Sequence, residues 1–259
     1  MKSGLVLEGG AMRGLFTAGV IDVFLENDIT FDLAIGVSAG AAFGVNLKSE
    51  QKGRVLRYNM RFAGKPYYAS WKSWRRSGNL YAANFCYHIL PDKLDVFDKE
   101  KFMTNPMDFW CVATDAATGE PVYHQLHDAG YVDLEWIRAS SSIPYDFLKQ
   151  KNCNKKVVIT TQPKSYRKKQ SKIYPLEKVL LREYPAVLEK LSTRAEDYNA
   201  VLDQMEKDEE AGKAFIIRPP FPLEIGTLET DKKEMRRVYE GGRVEAEKIL
   251  PTLREYLNK

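Results

Sequence analysis

Short apolar runs of strand length recur along the chain at residues 5–7, 33–37, 109–114, 157–161 and 215–217. Helical patterns lie between most of them. Strands alternating with helices predict a mostly parallel sheet with helices on both faces, a three-layer α/β/α architecture. Later in the chain the pattern changes. Residues 185–212 and 231–257 are rich in charge, with Val187, Leu188 and Leu191, and then Val201, Leu202 and Met205, at helical spacing. That spacing predicts long amphipathic helices packed on the sheet. No internal repeat or low-complexity tract interrupts the series, so residues 1–259 are expected to form one domain, with a helical C-terminal part from about residue 175.

Two of the predicted strands run into glycine turns, and these carry the candidate chemistry. The first is Leu5-Val-Leu-Glu-Gly-Gly-Ala-Met-Arg-Gly14 and the second is Gly36-Val37-Ser38-Ala39-Gly40. A dinucleotide fingerprint would need a glycine at the third position of the first turn, where Ala11 stands. It would also need an acidic residue at the end of the next strand to hold a ribose. Asp32 has the right separation but precedes the strand at 33–37, at the wrong end of a parallel sheet.

An acyl-transfer site fits better. In GxSxG the serine sits on a sharp strand-to-helix turn, and small neighbours relieve the crowding while the hydroxyl stands clear. Gly36, Ser38 and Gly40 meet that need, with Val37 and Ala39 between them. The run from Ala39 to Gly44 lets the following helix approach the sheet closely. An oxyanion formed by attack of Ser38 needs main-chain N–H groups fixed beforehand. The turn at Gly9, Gly10 and Ala11 can offer them, and Arg13 adds positive potential or pins the loop.

Ser38 needs a base. The histidines are His88, His124 and His127, all in the first half of the chain. A triad of Ser38, Asp115 and His124 keeps the usual order, but a hairpin turn around Thr118-Gly119-Glu120-Pro121 is all that separates its last two members.

These motifs together resemble the patatin-like phospholipase family. Its GGGxRG loop is similar to Gly9-Gly10-Ala11-Met12-Arg13-Gly14, with alanine for the third glycine, and its GxSxG to Gly36–Gly40. Its "ATD..TGE" segment is matched by Ala113-Thr114-Asp115 and Thr118-Gly119-Glu120, and its "ASxxxP" by Ala139-Ser140-Ser141-Ser142-Ile143-Pro144. The stretch Thr160 to Lys169 looks like the family's bacterial branch. The resemblance implies a lipase or phospholipase-like esterase with Ser38 as nucleophile, a Ser-Asp dyad without histidine, a lipid or acyl-ester substrate, and no cofactor or metal. It also implies an aspartate in a DGG or DGA motif after the segment matching Ile143-Pro144. The chain has none there and passes from Tyr145 into "DFLKQKNCNKKVVITT", which reads as the helix and strand that ordinarily follow the aspartate loop. Glu240-Gly241-Gly242 is a lookalike in a helical pattern, and Asp146 has no glycine after it. Two readings stay open: the aspartate is borne by a segment absent from this sequence, or the chain is a non-catalytic relative that binds lipid or a partner in the same cleft.

Composition changes the picture little. A hydrophobic fraction of 44%, a charged fraction of 29% and a net charge of +4 are those of an ordinary globular protein, not of a nucleic-acid binder. Cys86, Cys111 and Cys153 are odd in number and far apart, unlike a disulfide framework or a zinc site. The N-terminal run is too short for a signal peptide, and the uncharged run 33–47 is too short to span a bilayer, so a cytoplasmic protein is expected. The stretch 65–76, "KPYYASWKSWRR", mixes aromatic and basic residues. Tyr67, Trp71, Trp74, Arg75 and Arg76 are therefore candidates for peripheral contact with the inner membrane, against the plainer reading of a loop with an aromatic anchor. The basic cluster Lys164 to Lys172 reads as a solvated loop.

Overall fold

A computed structural model describes residues 1–69, 81–115, 117–128, 130, 143–171, 174, 178 and 182–258. Its centre is a six-stranded sheet of β1 (Ser3–Leu7), β2 (Leu33–Gly36), β3 (Asp108–Thr114), β4 (Pro121–Leu126), β5 (Lys155–Ile159) and β6 (Ala214–Ile217). The strand order is β4-β3-β2-β1-β5-β6, parallel except for the β3–β4 hairpin. All five apolar runs of the sequence are strands, and β4 is the return arm of the hairpin expected at Thr118–Pro121.

Alternate residues of each strand feed two cores. Leu5, Leu7, Ala34, Phe109, Val157 and Ile159 pack on one face with α1 (Gly14–Glu26), α2 (Ala39–Lys48), α3 (Arg54–Phe62) and α7 (Lys232–Asn258). Val6, Leu33, Ile35, Val112, Val158 and Ile216 pack on the other with α5 (Tyr145–Gln150) and α6 (Pro185–Glu210). Both faces are dry, which is why the strands read as continuous apolar runs rather than alternating ones. A short helix α4 (Lys99–Thr104) and a π-helical segment, Phe85–Leu94, complete the described elements.

Helix starts follow local chemistry. Asp231 places a carboxylate oxygen 2.7 Å from Lys233 N at the start of α7, and Pro185 opens α6 where its missing N–H costs nothing. The Glu240-Gly241-Gly242 lookalike lies inside α7, and its role is packing. A Cβ on Gly242 would lie 2.0 Å from Phe16 O of α1, and one on Gly19 would lie 2.1 Å from Tyr239 O of α7. The two helices therefore touch backbone to backbone. Asp22 of α1 secures the contact by accepting from the Tyr239 hydroxyl and from Gly53 N–H.

Asp32 accepts from the backbone N–H and hydroxyl of Ser3, at the N-terminal end of the sheet. It is far from the strand ends that would hold a ribose, which removes the dinucleotide reading. The three cysteines are free thiols. Among the described residues, no helix is long and apolar enough to cross a membrane, and no group of three His, Cys, Asp or Glu is placed to hold a metal ion.

Candidate active site

From β1 the chain order moves through β2, β3 and β4 to one side and returns to β5 and β6 on the other. In an open α/β sheet, such a reversal opens a crevice beyond the carboxyl ends of the strands. Here the crevice collects the ends of β1, β2 and β5, and the sequence puts its two glycine turns on the first two of these. The result is a cleft of about 220 Å³ whose lining includes Gly9, Gly10, Ala11, Arg13 and Ser38.

Ser38 has φ 51° and ψ −119°, a conformation that L-residues rarely adopt. This strained turn lifts the side chain off the end of β2 at the start of α2. The small neighbours are needed for contact. A Cβ on Gly40 would lie 2.3 Å from Leu7 O, and one on Gly36 would lie 2.5 Å from the Ala41 backbone. Val37 donates its N–H to Leu7 O at 3.1 Å and Gly40 donates to Val37 O at 2.8 Å, so the turn is tied to β1 and to itself.

The glycine loop lies directly against this turn. A Cβ on Gly9 would come within 2.8 Å of Val37 O and 3.3 Å of Ser38 Cβ. Ala11 has φ 49° and opens a 3₁₀ turn, Ala11–Arg13, closed by Arg13 N–H to Gly10 O at 3.0 Å and continued by Gly14 into α1. The N–H groups of Gly10 and Ala11 stand at the start of a helical segment, where no intrahelical acceptor exists. Met12 is buried in the core and anchors the loop, while Arg13 reaches back to the cleft.

Glu8, one residue before the glycines, escaped the sequence reading. Its carboxylate is buried and accepts from Thr161 N–H and from the Tyr198 hydroxyl, with the Thr161 hydroxyl at 3.2 Å. Burial pushes its pKa up against these donors and the Arg13 charge. Thr161 follows β5 and Tyr198 sits on α6, so one side chain joins the glycine loop to two elements 153 and 190 positions away. A lone Glu at a strand end gives no sequence signal of such distant partners. With both oxygens engaged, Glu8 braces the glycine loop against the end of β5 and against α6.

No other carboxylate lines the cleft among the described residues. Asp115 turns its carboxylate into its own turn, accepting from Ala117 N–H, Thr118 N–H and the Thr118 hydroxyl, and those donors hold its pKa down. His124 stands on β4 opposite Cys111. Neither lines the cleft with Ser38. Asp146 is exposed and pairs with Lys149. Ile143 lines the cleft, whereas the Ala139–Ser142 part of the "ASxxxP" match lies outside the described residues.

The basic stretch Lys164–Lys172 is more than a solvated loop. Lys168 lines the cleft with its Nζ 4.5 Å from the centroid of the Tyr198 ring, and its backbone N–H and C=O both bond the Asn199 side chain. Arg167, beside it, pairs outward with Asp203 and Glu206. Of the aromatic-basic candidates, Tyr67 is 52% exposed with its ring 5.0 Å from Phe85. Trp71, Trp74, Arg75 and Arg76 lie outside the described residues.

Comparison with known proteins gives a family match for most of the chain. The family model "Patatin-like phospholipase" matches residues 5–170, and a domain of unknown function, DUF6363, matches residues 184–258. The chain is 31% identical over 143 residues to "Uncharacterized protein YjjU" of Escherichia coli (strain K12). That match covers 54% of this chain and 40% of the relative.

Proposed function

Since the chain belongs to the patatin-like phospholipase family, we propose that it is a serine carboxylic ester hydrolase acting on acyl esters of lipids. The carrying observation is the strained Ser38 turn in contact with the glycine loop. In this reading Ser38 Oγ attacks the ester carbonyl carbon while an aspartate not identified in this sequence takes the hydroxyl proton. The tetrahedral oxyanion accepts from Gly10 and Ala11 N–H. Its collapse breaks the C–O bond to the alcohol, which leaves with the proton returned by the base. Water then attacks the acyl-serine, the base again takes a proton, and the carboxylic acid is released. No step calls for a metal or an organic cofactor.

The test is covalent labelling with a fluorophosphonate, read by intact mass. A single adduct on the native protein that is lost in Ser38→Ala is expected. No adduct on native protein would overturn the reading.

One observation favours a second reading: no free carboxylate faces Ser38 among the described residues. A non-catalytic relative would bind acyl ligands saturably in the same cleft, release no acid and leave Ser38 unlabelled.

A further inference from the structure

One oxyanion donor of the proposed reaction sits between two glycines. Gly9 and Gly10 share one planar trans peptide, in which the Gly9 C=O and the Gly10 N–H point in opposite directions. With a glycine on each side, that plane can turn over at little steric cost. One orientation offers the Gly10 N–H to the cleft, and the other puts a carbonyl oxygen there, which repels a developing oxyanion. A group outside the two glycines has to select between them.

Thr161 is placed to do so. It is fully buried just beyond β5, and its hydroxyl lies 3.2 Å from Gly9 O. A Cβ on Gly10 would lie 2.7 Å from the same hydroxyl oxygen, so the two can approach only because position 10 is glycine. The Ser38 turn meets the loop at Gly9, where a Cβ would lie 3.3 Å from Ser38 Cβ. The Thr161 hydroxyl has one proton and two acceptors at equal distance, Gly9 O and Glu8 Oε2. Glu8 already has its donors, since Thr161 N–H supplies Oε2 and the Tyr198 hydroxyl supplies Oε1. The hydroxyl proton is thereby left for Gly9 O.

We propose that Thr161 is a positioning residue: its hydroxyl holds the Gly9 carbonyl and, through the rigid Gly9–Gly10 peptide, aims the Gly10 N–H at the carbonyl oxygen of an ester attacked by Ser38. Glu8 and Tyr198 keep Thr161 itself in place. The inference rests on the acyl-hydrolase reading for its catalytic consequence and adds to it the group that orients the oxyanion donor. Gly10 N–H donates to no protein group among the described residues and is free for substrate. The C-terminal region, matched as a domain of unknown function, gains a part in the site, because Tyr198 belongs to it.

Two readouts test this, and the first needs no turnover. The chain holds two Gly-Gly pairs, Gly9-Gly10 and Gly241-Gly242. Protein made with glycine carrying a carbon-13 carbonyl and nitrogen-15 therefore gives two carbonyl-to-amide correlation peaks, and Gly241→Ala removes one and assigns both. Thr161→Val keeps the side-chain shape, Thr161→Ala relaxes it, and both lose the hydroxyl. In either variant the Gly9 carbonyl resonance should move upfield, as a carbonyl does on losing a donor, and Thr161→Ser should restore it. The Gly241–Gly242 peak, from the contact of α7 with α1, should stay in place and report that the variant is folded. A Gly9 resonance unmoved by loss of the hydroxyl would overturn the proposal.

The second readout is kinetic, with p-nitrophenyl butyrate as a soluble ester. Loss of a whole oxyanion donor costs on the order of 10²–10³ in kcat, so loss of its aim in Thr161→Val should cost about tenfold to a hundredfold, with KM within about twofold. Thr161→Ser should recover most of that rate. A merely structural threonine would lower the amount of active protein, titrated with fluorophosphonate, and leave the rate per labelled site unchanged, which would overturn the positioning role. The two proposals fail separately. A native protein that takes no label sinks the hydrolase, while the Gly9 resonance still decides whether Thr161 holds the peptide. A labelled protein whose rate ignores Thr161→Val sinks the positioning role alone.

Discussion

Removing one oxygen at Tyr198 tests how the C-terminal helix holds the candidate site. Tyr198 is 4% exposed and Glu8 is 5% exposed, and the tyrosine hydroxyl donates to one carboxylate oxygen while Thr161 occupies the other. Tyr198→Phe keeps the ring, its edge-on contact with Tyr166 and the Lys168 ammonium over its face. It leaves a buried acceptor short of a donor. A hydrogen bond to a charged buried group contributes about 1.5–3 kcal/mol, so the expected loss is about 2 kcal/mol. For a chain of 259 residues that corresponds to a fall in Tm of about 4–8 °C.

The loss should depend on pH. Burial raises the folded-state pKa of Glu8 above its ordinary 4.5, with the Tyr198 hydroxyl first among the groups opposing it. The stability linked to this group is therefore fully present below about pH 4.5 and declines as pH rises through the folded value. Removing the tyrosine donor raises that value further, so the variant should lose more at pH 8 than at pH 5. Urea melts of both proteins at the two pH values, followed by tryptophan fluorescence, measure the difference. An equal loss at both, or none, would refute the charged brace.

Further expectations concern the frame around the site. Gly242→Ala puts a Cβ 2.0 Å from Phe16 O, with backbone on both sides of the contact, and should cost about 1–3 kcal/mol or more in a denaturant melt. Gly241→Ala meets nothing within 4 Å and should be neutral or stabilising by up to about 1 kcal/mol, so equal effects from the two would undo the helix-contact argument. Although partial burial opposes ionisation of Asp208, the Lys156 ammonium and Tyr145 hydroxyl prevail and hold its pKa down to about 2. Its contribution to stability is present above about pH 4 and lost as pH falls through 2. Asp208→Asn should flatten that part of an acid titration followed by circular dichroism, and an unchanged acid limb would show that the pair contributes nothing.

By itself the sequence determined the sheet, the strand-to-helix turns and the nucleophile candidate. Each rests on short-range physics: five apolar runs are strands because both sheet faces are dry, and Gly36, Ser38 and Gly40 mark a crowded turn whatever surrounds it. The long helices at 185–210 and 232–258 were legible from their spacing. Only the tertiary structure decided what the glycine loop touches, because Glu8 meets Thr161 and Tyr198 across 153 and 190 residues and no local pattern encodes such a pairing. It likewise turned Gly242 from a motif lookalike into a helix contact, since close approach depends on the neighbouring helix and not on the glycine's own segment. The gathering of Arg13, Lys168 and Arg194 belongs to the same class. Three charges scattered along the chain look like solvated residues until the reversal of strand order at β1 and β5 places their elements at one end of the sheet.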